Sequence, residues 1–462
     1  MYAGEHVPEC VHEGSTTNVV YLRDMSESPF QALAAGASIL FLFLAVSRTP
    51  DFIGVSGVAL FVGIAGLIAT GMTGGVARAL TSKAGLFLSA FTVWLCVCLL
   101  FSVWKGGSFH LLKDTWSRSL LAFIIVGGAL ITIEQLRKAM YIMSLAAVAI
   151  LVFSVLFGSA ASGRLAFSRG TLANPNALAA YLLLTVPFCF FIFLQSKKIA
   201  VKAAASLITL MLLAMTLRTG SRSGLVSIGI LGAYIFFSAS VPKKILMTAL
   251  AVAMVISSPF YLPNSVLARF RTMVGDEAPV SSGGEDDQDR QGDFAEGSTH
   301  SRSYLLRKSI EVTISNPLFG VGPGMFAVAS SDLAKAEGDS ALWQQTHNTY
   351  TQVSSETGLP GLVIYLGLVL AIFKATRIPP WATSDPEFFL LSNTAFTLRL
   401  SLIAFCGGAM FGSFAYGMEL PLLAGLAETL RRVVESRKQQ VQVASVLRPR
   451  VQVPLPLRPV LR

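Results

Sequence analysis

The segment Arg218-Thr219-Gly220-Ser221-Arg222-Ser223-Gly224 sets two guanidiniums four residues apart among glycines and serines. Arginine binds phosphate oxygens through paired N–H groups, and Gly and Ser let backbone amides approach an anion where a helix begins. Retention of a phosphorylated ligand is the chemistry this fits, although two arginines snorkelling at the ends of a helical hairpin would use the same residue types. His347-Asn348 is the second candidate. A neutral imidazole near pH 7 can take a proton from a hydroxyl, while a lone histidine also serves structural ends. If the residues after it are helical, Asn348, Gln352 and Glu356 recur at i, i+4 and i+8, and one face is polar.

Three further patterns read as structure first. Asp287-Gln288-Asp289 has a metal-binding Asp-x-Asp spacing but sits in a low-complexity acidic stretch. Gly320-Val321-Gly322-Pro323-Gly324 is a turn rather than a dinucleotide fingerprint, because no strand precedes it and Pro323 spoils a helix start. Asn174-Pro175-Asn176 reads as a helix cap and turn.

The elements that must position these groups are membrane helices. Of 462 residues, 53% are hydrophobic and 13% charged, against about 25% charged in a soluble protein. That balance cannot clothe several soluble domains in a polar shell. A bilayer core about 30 Å thick needs roughly 20 apolar residues per helix. Spans are expected near 30–47, 52–71, 84–104, 119–135, 139–159, 177–195, 199–217, 223–240, 244–262, 358–374, 397–413 and 415–430. The fold class is therefore all-α and polytopic, with about 12 transmembrane helices; the glycines at 407, 408, 412 and 417 leave eleven as the alternative count. The net charge of +10 comes from short clusters between apolar runs, which act as topology signals, so nucleic acid is not an expected partner and membrane lipid is. The five cysteines form neither a disulfide framework nor a metal quartet.

One set of short loops holds Arg78, Lys83, Arg137, Lys138, Lys197, Lys198, Lys202, Lys243, Lys244, Lys374 and Arg377, and the basic tail from 431 joins it on the cytoplasmic side. The opposite loops keep Arg48, Lys105, Lys113, Arg118, Arg164, Arg169, Arg218 and Arg222, so the bias is weak, and the outward arginines fit an anion held on the outer side as well as ordinary scatter. The expected order is a cytoplasmic tail at 1–29, spans one to nine at 30–262, a large periplasmic loop at 263–346, an outer polar helix with spans ten to twelve at 347–430, and a basic cytoplasmic tail at 431–462. Within the loop, 276–296 has a disordered composition and 301–314 the pattern of an amphipathic helix. The tail from 441 reads as unstructured.

Three segments in this order resemble the O-antigen ligase and O-antigen polymerase superfamily of bacterial membrane glycosyltransferases. They are Thr219-Gly220-Ser221-Arg222-Ser223-Gly224, the stretch from Ser301-Arg302 through Asn316-Pro317-Leu318-Phe319-Gly320-Val321-Gly322-Pro323-Gly324, and His347-Asn348 with Glu356-Thr357-Gly358-Leu359-Pro360-Gly361. The ligase-like core covers about 170–375. The resemblance implies a C-type glycosyltransferase architecture that moves a glycan from an undecaprenyl diphosphate carrier to an acceptor hydroxyl outside the inner membrane. It implies that Arg222 and Arg302, with Arg218 beside them, hold the diphosphate, that His347 is the base, and that Ser221, Asn348, Glu356 and Gly322 support them. A diphosphate on the anomeric carbon is a good leaving group once cations balance its charge, so no metal and no cofactor is expected, and a single displacement inverts the anomeric centre. Lipid A-core ligation is the leading reading of the acceptor; chain polymerisation and protein O-glycosylation share the same motifs. Of a different class, a polysaccharide or lipid transporter would need polar residues along a path, whereas here they gather at one boundary.

Overall fold

The structure, a computed structural model, describes residues 28–55, 57–159, 163–168, 170–271, 288–336, 338 and 343–447. The amino-terminal tail to 27, the stretch 272–287 with Asp287 of the Asp-x-Asp triplet, and residues 448–462 lie outside the described residues. A helix stands at each of the twelve expected spans: α1 (Pro29–Ser47), α2 (Gly57–Met72), α3 (Lys83–Leu100), α4 (Ser117–Ala129), α5 (Ile133–Leu156), α6 (Pro175–Gln195), α7 (Ile199–Arg218), α8 (Arg222–Ser238) and α9 (Val241–Tyr261), then, beyond α10 (Asn264–Arg271), α11 (Gln288–Ser315) and α12 (Phe326–Ala336), α13 (Thr349–Ala375), α14 (Phe388–Ala409) and α15 (Glu419–Leu447). Eight of these are long and apolar enough to cross a membrane, and α2 and α8 are shorter apolar helices. The protein is an all-α, multi-pass membrane protein. Its described strands are two residues each, Gly158–Ser159 paired antiparallel with Ala166–Phe167.

Caps set the boundaries. Pro29 and Pro175 open α1 and α6 behind Ser28 and Asn174, whose side chains accept from Gln31 N and Asn176 N. Four expectations shift. The break between the fourth and fifth spans falls at 130–132, because Thr132 and Gln135 form a capping box that starts α5 six residues early. Helix α14 starts at Phe388 rather than near 397 and is separate from α15. Helix α11 begins at Gln288, inside the stretch of disordered composition. Helix α15 continues to Leu447, past the point where the tail reads as unstructured.

The main core gathers side chains from α1, α3, α4, α5, α6, α13, α14 and α15, including Phe41, Phe91, Phe123, Phe188 and Tyr365. Helix α9 contributes none: no residue of it is buried, and Val255, Ile256 and Phe260 stand exposed, as lipid contact permits.

Connections sort to two ends. At one end Arg78 donates to Gly128 O and Thr73 O, and Arg432 donates to Gly127 O and Leu130 O, so two arginines of the basic set satisfy the last carbonyls of α4. Arg137–Glu387 and Arg437–Asp385, each 2.9 Å, tie the same end. All the candidate site residues lie at the other end.

Candidate active site

The α7–α8 turn is a capped helix start. Gly220 turns the chain with φ at 59°, Ser221 caps α8 by accepting from Gly224 N at 3.2 Å, and Arg222 is the first residue of that helix. The Ser221 hydroxyl also meets the Ser223 hydroxyl at 2.7 Å. Arg164, from the α5–α6 connection, donates through Nε to Thr219 O at 2.9 Å and through Nη2 to Asn176 Oδ1 at 3.1 Å. It thus fastens this turn to the Asn174-Pro175-Asn176 cap.

Arg269 on α10 and Arg302 on α11 complete a group of four guanidiniums. Burial and then the charges of Arg269, Arg302 and Arg222 push Arg164 down to about 10. Arg269 is lowered by burial and by Arg222 and Arg302, and Arg302 by burial and Arg222. The arginine charges within this group all act in the same direction on these three. Like charges brought together in this way repel one another, and an anion among them would ease that repulsion. His347 lies in the same field: burial first, and the Arg302 charge second, hold its imidazole below the usual value, so it is a neutral proton acceptor at pH 7.

The backbone around His347 is over-determined. His347 has φ at 52°, a left-handed conformation that costs an ordinary residue of order 1–2 kcal/mol. Its N–H donates to Ser413 Oγ at 3.1 Å. Asn348 caps α13, accepting from Tyr350 N and Thr351 N at 2.9 and 3.1 Å. Thr349 and Gln352 bind the α14–α15 connection through Gly412 O, Phe414 N and Ala415 N.

Glu356 is fully buried and organises the glycine-rich bend. It accepts from Tyr416 Oη at 2.7 Å, from Gly324 N at 2.8 Å and from Phe326 N at 3.4 Å, where α12 begins. Three backbone bonds lace the bend to α13: Val321 N to Ser355 O, Gly322 N to Glu356 O, and Leu359 N to Pro317 O. The last takes an amide freed by the kink at Gly358, ahead of Pro360. A Cβ on Gly322 would strike the Ser102 side chain; one on Gly320, at φ 65°, would strike Glu356 C and Thr357 N. These last are backbone atoms and cannot yield. Gly320→Ala is therefore expected to destabilise the protein by about 2–4 kcal/mol, read as a lowered midpoint of thermal unfolding in detergent. An unchanged midpoint would mean the bend is not held against α13.

Two adjoining cavities open beside His347. The smaller, about 210 Å³, is lined by His347, Asn176, Ser223, Ser227, Gln345 and Ser413 among others. The larger, about 490 Å³, shares Ala177, Ala180, Gln345, Gly408, Ser413 and Phe414 with it and extends to Arg48, Arg118 and Glu419. None of the four arginines lines either one.

The structure thus brings Arg222, Arg302 and His347 together, with Ser221 and Asn348 as caps, Gly322 in the bend and Glu356 on α13 against it. Arg218 is placed differently: it ends α7, its carbonyl accepts from Leu165 N at 3.0 Å, and its charge is not among those shifting the group. Arg269 escaped the sequence reading, since nothing in its own segment marks it. Arg164 was visible only as one of several outward arginines.

Residues 207–366 match the family model described as O-antigen ligase (Wzy_C), a range that includes Arg218, Arg222, Arg302, His347 and Glu356. The exopolysaccharide production protein ExoQ of Rhizobium meliloti (strain 1021) is 26% identical over 331 residues, covering 66% of this chain and 68% of ExoQ. A chain from a solved structure described as "Structural coordination of polymerization and crosslinking by a peptidoglycan synthase complex" is similar at a TM-score of 0.39 and 18% identity, over 77% of this chain and 97% of that one. The resemblance read from the three motif segments accords with the family match and with ExoQ.

Proposed function

We propose that this chain, a multi-pass membrane enzyme of surface polysaccharides of the O-antigen ligase and polymerase type, moves a glycan from an undecaprenyl diphosphate carrier to an acceptor hydroxyl. Arg222 and Arg302, with Arg164 and Arg269 beside them, hold the donor diphosphate. His347 takes the proton of the acceptor hydroxyl as that oxygen bonds to the anomeric carbon. The bond from that carbon to the phosphate oxygen breaks, and undecaprenyl diphosphate leaves with the electron pair. One displacement inverts the anomeric centre, and the arginines balance the charge that a metal would otherwise meet. The excess of Lys and Arg in the opposite loops supports a site on the periplasmic face of the inner membrane, with the connection 263–346 outside and both tails inside.

The observation that carries this reading is the joint field of Arg222, Arg302 and His347, a base held beside clustered cations. Lipid A-core is the leading acceptor. The similarity to ExoQ favours a second one, the growing polysaccharide itself. The test is transfer by the purified protein in lipid vesicles containing EDTA, with labelled undecaprenyl diphosphate glycan and both lipid A-core and unlabelled carrier glycan present. Label on either acceptor supports a metal-independent transferase and tells ligase from polymerase. No transfer to either from a folded sample counts against the proposal and leaves protein acceptors and transport as the next readings.

A further inference from the structure

Among the described residues, two besides glycine have a positive φ: His347, at 52°, and Arg48, at 56°. His347 lines the smaller cavity and Arg48 the larger. Arg48 ends α1 in the left-handed conformation common at helix C-termini, and its side chain lines the larger cavity.

Arg48 is held there from several sides. Its guanidinium lies over the Tyr181 ring, 5.2 Å from the centroid, and the Tyr181 hydroxyl donates to Val46 O at 2.8 Å and Ala45 O at 3.2 Å, fixing the ring at the end of α1. The nearest carboxylates are Glu419, 3.7 Å from Nη2, and Asp51, 3.8 Å from Nη1. Both separations exceed hydrogen-bond length, so these groups attract without bonding. Among the described residues, Arg48 Nε, Glu419 Oε2 and Gln345 Oε1 are buried with no hydrogen-bond partner. All three side chains line the larger cavity, and Gln345 also lines the smaller one beside His347.

We propose that the larger cavity binds the acceptor, that the acceptor is a sugar, and that the Arg48–Glu419 pair reads its hydroxyls. This rests on the transferase reading above. A hydroxyl accepts from a guanidinium and donates to a carboxylate at once, so a vicinal diol bridges a pair of opposite charges standing slightly too far apart to bond each other. The Arg48 and Arg118 charges in the lining are matched by the Glu419 and Asp114 carboxylates, so no net positive charge remains for a phosphate, and an isoprenoid tail would strand these charges in hydrocarbon. The shared wall leads from this cavity to His347, while Arg164, Arg222, Arg269 and Arg302 stand outside both linings. The acceptor hydroxyl therefore reaches the base by a route separate from the diphosphate.

The experiment is steady-state transfer in the vesicles described above, with lipid A-core and unlabelled carrier glycan each titrated as acceptor. Glu419→Gln and Arg48→Gln should raise the acceptor KM by about 10- to 100-fold. Donor KM, and kcat at saturating acceptor, should stay within about twofold. Arg48→Lys keeps the charge without the fork; it should raise the acceptor KM less than Arg48→Gln, and it serves if the neutral variants fail to fold. The proposal is overturned if wild type transfers glycan while these variants keep a normal acceptor KM, if donor KM rises equally, or if the label settles on protein hydroxyls. A wild-type enzyme that transfers to neither acceptor would instead count against the glycan-acceptor reading underneath.

Discussion

Transfer by a His347→Ala variant is expected to fall by about 10²- to 10⁴-fold, the usual contribution of a positioned general base. Insertion into the membrane and retention of the donor should survive, because the four guanidiniums proposed to hold the diphosphate come from other segments. Alanine at φ 52° adds backbone strain that histidine and asparagine tolerate better. His347→Asn separates the two effects, since asparagine suits the left-handed conformation and supplies no base at neutral pH; it should lose as much activity as alanine while unfolding at the wild-type temperature. The pH profile gives an independent reading. Burial and Arg302 lower the imidazole from its ordinary value of 6.5, so the neutral base persists below pH 6.5. The acid limb of kcat/KM should lie below that pH in wild type and be absent from the residual rate of either variant. Transfer near the wild-type rate by His347→Asn would remove histidine as the base.

The membrane helices were legible because lipid imposes a crude requirement, about 20 apolar residues per crossing, that composition alone reveals. Their ends were less so, since a cap is a pairing of specific side chains: Thr132 with Gln135 stops the run at 130–132 although the apolar character continues. In the loop, acidic composition hid the first turns of α11, and the basic tail hid the end of α15. At the site, motif spacing exposed Arg222, Arg302 and His347 together, because a resemblance preserves order across segments that local periodicity treats separately. Arg218 and Arg222 stand four apart in the chain but on different helices. Residues four apart are neighbours only inside one helix, and the turn at 219–221 puts Arg218 at the end of α7 and Arg222 at the start of α8. Arg164 and Arg269 stand 105 positions apart in the chain (269 − 164) and meet through tertiary packing alone. The Arg48–Glu419 pair, from the first helix end and the last helix start, is invisible for the same reason.

Arg302 joins the two halves of the proposed chemistry, so its replacement should have two separable effects. The first is on rate. Arg302→Gln removes one of the cations that balance charge on the departing diphosphate, and kcat/KM should fall by about 10²- to 10³-fold. The second is on the base. The Arg302 charge repels a protonated His347, and removing it lets the imidazole rise toward its ordinary value, leaving burial as the remaining cause of depression. A raised value means that the base is protonated at a higher pH, so the acid limb of the profile should move upward in Arg302→Gln. Arg222→Gln should lose comparable rate while moving that limb less, because Arg222 acts on Arg302 and Arg164, whereas the charge acting on His347 is that of Arg302. Arg302→Lys distinguishes charge from geometry: a point charge keeps the limb in place but cannot grip two phosphate oxygens as a planar fork does, so its loss should appear in rate alone. An Arg302→Gln enzyme with normal rate and an unmoved limb would mean that the arginine group and the histidine, though adjacent, serve different ligands.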